Sequence, residues 1–210
     1  MYNLPYYKEH DNGEVLRFMQ EHPFVFLTGV DAAGKPVATQ VPVFIDEKEG
    51  KYFLTGHIMR NTDHHKAFEQ NKNVLAVFTG PHTYVSAAWY TKPVGSTWNY
   101  MSVHVKGTIR FGDTNELISI LKRLTLHYEK YNTASTTVFD NLPAEYTARM
   151  MKAIVPFEIE INDLQHVFKL SQDRDEKSYD NIITKLREQG GDAKEIAVIM
   201  ENRKSKVFSS

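Results

Sequence analysis

Between Phe24 and Gly112 the chain repeats one pattern, short runs of β-branched and aromatic residues each ended by glycine, proline or a cluster of charge. Phe24 to Val30 is followed by the turn residues Asp31-Ala32-Ala33-Gly34-Lys35-Pro36. Val37 to Ile45 returns, Asp46-Glu47-Lys48-Glu49-Gly50 turns again, and Lys51 to Gly56 runs back. Links this short join antiparallel neighbours, because a parallel pair needs a crossover of a dozen or more residues. The pattern resumes in Val74 to Phe78, in Tyr84 to Tyr90 and in Tyr100 to Gly112, with a loop holding Pro93 and Gly95 before the last run. Six such strands predict a closed or nearly closed antiparallel barrel.

Outside these runs the period changes to that of a helix. Val15, Leu16, Phe18 and Met19 predict a helix within Asp11 to Glu21, ended by His22-Pro23 because proline cannot continue it. His64 to Gln70 is a second, broken by Asn71-Lys72-Asn73. Asp113 and Thr114 start a third that carries Leu117, Ile120, Leu121 and Leu124, and Pro143 to Ile154 is a fourth. Phe157-Glu158-Ile159-Glu160-Ile161 alternates as a half-buried strand that rejoins the sheet. Tyr179 to Arg187 and Ala193 to Arg203 read as helices parted by Gly190-Gly191, and Ser209-Ser210 as a frayed end. The expected class is α+β, mainly β. A length of 210 residues suits one domain over 1–210. Within it, 1–112 forms a barrel core with an N-terminal helix, 113–170 adds helices and a returning strand, and 171–210 is a C-terminal helical extension.

Charge and cysteine usage narrow the function classes. Lys and Arg number 25 against 26 Asp and Glu, a net charge of -1, so no global positive field draws nucleic acid or an anionic membrane. Basic residues cluster only at Lys122-Arg123 and Arg203-Lys204-Ser205-Lys206, where a solvated face is the simpler reading. With 0 Cys, disulfides, thiolate metal sites and cysteine nucleophiles are excluded. No apolar run approaches the ~20 residues that span a bilayer, so the expectation is a cytoplasmic protein with no membrane partner.

Two segments concentrate chemistry. Thr55-Gly56-His57-Ile58-Met59-Arg60-Asn61-Thr62-Asp63-His64-His65-Lys66 leaves a strand and enters a helix. Backbone N–H groups at a helix start together with one or two cations suit a phosphate, and Arg60, Asn61, Thr62 and Lys66 supply them; the alternative is a solvated polar turn. The adjacent His64 and His65 diverge by about 100 degrees on a helix, and no carboxylate or cysteine set accompanies them, so no metal is assigned. The second segment, Tyr84 to Tyr90 with Thr97-Trp98-Asn99-Tyr100 and Val103-His104-Val105, holds both tryptophans, and on its own reads as core or interface packing.

His22-Pro23-Phe24, Gly56-His57-x-x-Arg60, Gly80-Pro81-x-x-Tyr84-x-Ser86, Trp89-Tyr90, Thr97-Trp98-Asn99-Tyr100, Val103-His104-Val105 and Lys169-Leu170-Ser171-Gln172 together resemble the PaiB family of FMN-binding negative transcriptional regulators. The resemblance implies a six-stranded FMN-binding split barrel, similar to pyridoxamine-phosphate oxidases and flavin reductases, that forms a homodimer with FMN at the subunit interface. It implies that Ala38, Thr39, Gln40, Val41 and Pro42 lay their backbone along the flavin ring. Thr55, Arg60, Asn61, Thr62 and Lys66 would approach the ribityl phosphate, and Trp98, Asn99, Tyr100 and Ser102 would come from the dimer-facing side. Where the family pattern runs Ala-Asn-Pro after the arginine, this chain has Asn61-Thr62-Asp63, and Ala87-Ala88 stands where Pro-Ser is common. The expected function is a flavin-dependent regulator, with DNA as a possible partner. The alternatives are a flavin-dependent oxidoreductase, in which His57, His104 or Tyr100 could donate protons and no catalytic residue is assigned, or a dimeric barrel without the cofactor.

Overall fold

The computed structural model describes residues 1–208; the expectation for Ser209-Ser210 lies outside the described residues. The helices are α1 (Asn12–Glu21), α2 (Asp63–Gln70), α3 (Thr114–Tyr128), α4 (Ala144–Ala153), α5 (Glu176–Gln189) and α6 (Gly191–Phe208). The strands are β1 (Phe24–Val30), β2 (Pro36–Pro42), β3 (Phe44–Lys48), β4 (Lys51–Met59), β5 (Asn73–Val85), β6 (Thr97–Phe111) and β7 (Ile154–Lys169). They form one seven-stranded sheet in the order β2-β1-β5-β6-β7-β4-β3, and β1 with β2, β1 with β5, β3 with β4, and β4 with β7 all pair antiparallel.

The count of seven corrects the expected six: the returning strand β7 joins the sheet, while one expected run divides and two others fuse. Val37 to Ile45, read as one strand, divides at Val43, because Pro42 has no N–H to carry the ladder onward and the Val43 N–H bonds instead to the Pro23 carbonyl at 2.9 Å. The halves part company there. β2 pairs with β1 from Phe24↔Pro42 to Val30↔Pro36, whereas β3 pairs with β4 from Phe44↔Thr55 to Lys48↔Lys51. The two ends of the strand order are thus neighbours in the chain, and β2 touches β4. At that contact Gly56 leaves room that no side chain could share: a Cβ there would lie 2.9 Å from the Pro42 carbonyl oxygen.

Two further expectations change. Val74 to Phe78 and Tyr84 to Tyr90 are not separate strands, since β5 runs unbroken to Val85 and Ala87–Trp89 is a short 3-10 turn capped by Ser86. Gly80, inside this strand, admits the ring of Phe18, which a Cβ would meet at 2.6 Å. The returning strand is also longer than Phe157 to Ile161, because its first part is held by a full ladder with β4 from Met59↔Ile154 to Phe53↔Glu160.

The chain divides into two compact units. In the unit of residues 23–77 and 105–164, Val25, Leu27, Leu54, Phe68, Phe157 and Ile159 are buried, and α2 packs on β1 and β2. Asp113 and Glu116 close a capping box on α3, whose Leu117 and Leu121 meet Ile154, Met150, Met151 and Phe139. In the unit of residues 1–22, 78–104 and 165–208, Phe18, Phe78, Phe168, Tyr179, Ile182, Ile196 and Met200 form the core. There Arg203 pairs with the buried Glu9, and the Glu9 N–H bonds His166 Nε2 at 2.9 Å.

Candidate cofactor site

The strand-to-helix junction singled out by the sequence is a built turn. Thr62 is the N-cap of α2, accepting from the His65 N–H, and its hydroxyl also donates to the Met59 carbonyl at 3.1 Å. Asn61 takes a left-handed φ of 63°, and its N–H bonds Nδ1 of the buried His65 at 3.3 Å. Burial depresses the pKa of His65, with Arg60, His64 and Lys66 adding to the effect and Glu69 opposing it. The ring is therefore neutral, with Nδ1 as acceptor. Arg60 is anchored by its backbone N–H to the Ala153 carbonyl at 2.8 Å, which leaves its exposed side chain free to reach outward. Neither Arg60 nor Lys66 has an ion-pair partner among the described residues.

Beside this turn lies a sheet edge. β2 is an end strand of the order, so one side of its backbone lacks a strand partner, and α2 packs against it. That juxtaposition brings Thr39, Gln40, Val41 and Pro42 and the α2 turn into one unit. Val41 is buried, Thr39 and Pro42 are half-buried, and Gln40 is exposed, so the backbone and the Gln40 amide are what this edge can offer a flat ring.

The remaining expected residues divide by what already holds them. Thr55 is 7% exposed, and its hydroxyl donates to Asp46 Oδ2 at 2.8 Å; Asp46 in turn pairs with Arg123 at 2.6 Å. These three line a cavity of about 180 Å³ with Lys48, Arg110, Glu116 and Glu158, so the Thr55 hydroxyl serves an internal ion-pair network. In the other unit Asn99 is fully buried, accepting from Ser171 Oγ at 2.9 Å and donating to Met200 Sδ at 3.4 Å, and Ser102 donates to the Phe78 carbonyl at 3.0 Å. Both are structural there. Trp98 is 53% exposed with Tyr84 edge-on at 6.2 Å, and Tyr100 is half-buried, so these two keep surface for a ligand or a second subunit. Burial raises the pKa of the Tyr100 phenol and lowers that of His57, so at neutral pH the phenol keeps its proton and the imidazole is uncharged.

Sequence reasoning did not assign His65 a role, because neighbouring histidines were weighed only as metal ligands. The signal was its place at the third position of α2, one turn past a residue that must turn back on itself. The departure at Asp63 also gains a meaning. Its carboxylate occupies the His64 N–H at 2.7 Å and is held below the usual carboxylate range by that bond, so a first-turn donor and some of the positive field of α2 are already taken.

A family model described as "Putative FMN-binding domain" matches residues 1–163. The "Protease synthase and sporulation protein PAI 2" of Bacillus subtilis is 34% identical over 207 residues, covering 98% of this chain and 99% of the relative. The chain belongs to the PaiB family of FMN-binding domains. An uncharacterised protein of Emericella nidulans is 28% identical over 200 residues, covering 80% of each chain. Among solved structures, a conserved hypothetical protein from Mycobacterium tuberculosis superimposes with a TM-score of 0.57 at 12% identity, covering 80% of this chain and 90% of the other. A flavocytochrome from Azotobacter vinelandii gives 0.53 at 16% identity, covering 86% and 78%. At those identities the likeness is one of fold. No helix among the described residues is long and apolar enough to cross a membrane.

Proposed function

We propose that this family member binds FMN as a homodimer in the cytoplasm, with the flavin phosphate held by Arg60 and Lys66 and the ring laid along β2. The observation that carries the reading is the pair of cations without an ion-pair partner at the α2 turn, beside an end strand that lacks a strand partner on one side. The residues present fit FMN in part: Arg60, Lys66, Asn61 and the edge of β2 are available, whereas Thr55, Asn99 and Ser102 are engaged internally. Exposed Phe24 and Phe26 on β1, and Trp98 with Tyr84 in the other unit, supply aromatic surface of the kind that anchors subunit interfaces. Bound FMN would supply the redox chemistry, while the protein orients it and excludes competing reactions. Absorbance of the desalted protein after incubation with FMN tests the reading: flavin bands that co-elute with a species of twice 24.2 kDa support it, and colourless protein at high FMN contradicts it.

In the family role the flavin state would control a negative regulator. A second reading, a flavin-dependent oxidoreductase, is favoured by the state of the basic clusters. Lys122 pairs with Asp140 at 2.7 Å, Arg123 with Asp46, Arg203 with Glu9, and Lys204 with Asp180 at 2.7 Å. Cations neutralised within the chain release few counterions from DNA, so direct DNA binding loses its main driving force. Bleaching of the flavin by NADH or NADPH separates the oxidoreductase from a regulator, for which salt-sensitive retention of promoter DNA is the expected sign.

A further inference from the structure

The Lys169-Leu170-Ser171-Gln172 motif is not part of the proposed cofactor site. It forms the turn from β7 toward α5, and several bonds fix its shape. The Gln172 amide accepts from the Leu170 N–H at 2.6 Å and donates to the Phe168 carbonyl at 2.5 Å, Ser171 sits at a left-handed φ of 62°, and the Arg174 N–H closes on the Ser171 carbonyl at 3.1 Å. The bracket presents two cations. Lys169 Nζ donates to the Trp98 carbonyl at 3.0 Å and to Thr97 Oγ1, which leaves one of its three N–H bonds over, and it lies 6.0 Å from the centre of the buried Tyr7 ring. The Arg174 guanidinium stacks over the Tyr90 ring at 4.9 Å.

Tyr90 is fixed from the other side. The Thr91 N–H bonds Ser178 Oγ at 2.8 Å, Thr91 Oγ1 bonds Asp175 at 2.8 Å, and Asn181 holds the Trp89 carbonyl at 3.0 Å. Two buried side-chain atoms without a hydrogen-bond partner are Tyr90 Oη and Arg174 Nε, and both belong to this one stacked pair. The guanidinium lies close enough to the Tyr90 oxygen to oppose the rise in the phenol pKa that burial causes. Yet neither the Arg174 Nε–H nor the Tyr90 O–H has an acceptor at hydrogen-bonding geometry among the described residues, and buried donors of folded proteins are nearly always partnered. Asp173 pairs with Arg174 Nη2 at 3.6 Å, and with Asp175 on Thr91 it balances Lys169 and Arg174, so the cluster has no net charge before a ligand enters.

We propose that Arg174, Tyr90 and Lys169 form a binding site for the carboxylate of a small organic monoanion, whose apolar body lies against the Tyr7 and Tyr90 rings. One carboxylate accepts from Arg174 Nε–H and Tyr90 O–H at once and can take the remaining Lys169 N–H. With two carboxylates already present in the cluster, a monoanion is tolerated better than a phosphate dianion. Burial holds the Lys169 ammonium below its usual pKa, a cost that a bound anion offsets. The site lies within one compact unit and stands independently of the flavin reading.

Benzoate titrated into the full chain by calorimetry tests this, with benzamide and inorganic phosphate as controls. The expected result is millimolar or tighter binding of benzoate, with benzamide and phosphate each weaker by about tenfold or more. Tyr90→Phe and Arg174→Gln should each weaken benzoate by about tenfold or more, and Tyr90→Phe should melt no lower than the parent because it removes a buried orphan hydroxyl. Arg60→Ala should leave benzoate binding unchanged even where FMN affinity is lost, so failure of one site is distinguishable from failure of the other. Equal binding of benzoate and benzamide, no binding at about 10 mM, or unchanged benzoate affinity in both Tyr90→Phe and Arg174→Gln overturns the proposal. Tighter binding of phosphate than of benzoate overturns the carboxylate assignment.

Discussion

At the scale of single residues, the structure separates side chains that are free from those that merely look polar in the sequence. Arg60 is exposed and lacks an ion-pair partner among the described residues, so Arg60→Ala should weaken FMN binding by about 1–3 kcal/mol, the worth of a charge-assisted hydrogen bond, as read by fluorescence titration. Thr55 behaves oppositely. Thr55→Val removes the donor to half-buried Asp46 and should lower stability by about 1–3 kcal/mol in urea unfolding while FMN affinity stays the same. Asp63→Asn removes a negative charge from the turn and should tighten FMN a few-fold; weaker binding would show that the carboxylate takes part in holding the cofactor. Residue types were legible in the sequence: arginine, lysine and amide at a helix start announce an anion. Which polar side chains were already engaged was not, because the partners of Thr55, Asn99 and Ser102 lie 9, 72 and 24 residues away.

At the scale of elements, the local signals carried well. α1, α2 and α4 lie within about a residue of the expected bounds because caps and the 3.6-residue period are written locally. The misjudged elements are those whose limits are set by distant chain. The two runs on either side of Gly80 were read apart and are one strand, β5, which passes against α1 at Gly80, so Gly80→Ala should drive a Cβ into Phe18 and cost about 1–3 kcal/mol in the urea midpoint. A cost near zero would mean that Phe18 moves aside freely. α5 depends on its cap: Asp175 accepts from the Ser178 N–H, the Ser178 hydroxyl and Thr91, bonds that depress its pKa to about 2 from 3.8. A depressed carboxylate stabilises above its unfolded pKa, so its contribution is lost as pH falls from 3.8 toward about 2, and Asp175→Ala should flatten that part of the melting-temperature profile.

At the scale of the whole molecule, the α+β class and the antiparallel sense were read correctly, and the count differs from six because the returning strand β7 joins the sheet, while the division at Val43 and the fusion of two runs into β5 cancel. Four histidines, His22, His57, His65 and His166, have pKa values lowered from 6.5 chiefly by burial. Each is neutral when folded and takes up a proton on unfolding at acid pH, so stability is fully present above 6.5 and declines as pH falls below it. Urea midpoints at pH 7.5 and 5.5 should therefore differ, the lower value at 5.5; equal midpoints contradict the burial of these rings. The central claim is that the α2 turn holds the phosphate of a flavin that rests on β2. Its most direct measurement compares FMN with riboflavin, which lacks the phosphate, on the full chain and on Arg60→Ala. The account predicts that FMN binds at least about tenfold tighter than riboflavin and that Arg60→Ala erases most of that difference. Equal affinity for the two flavins, or none for either, would contradict it.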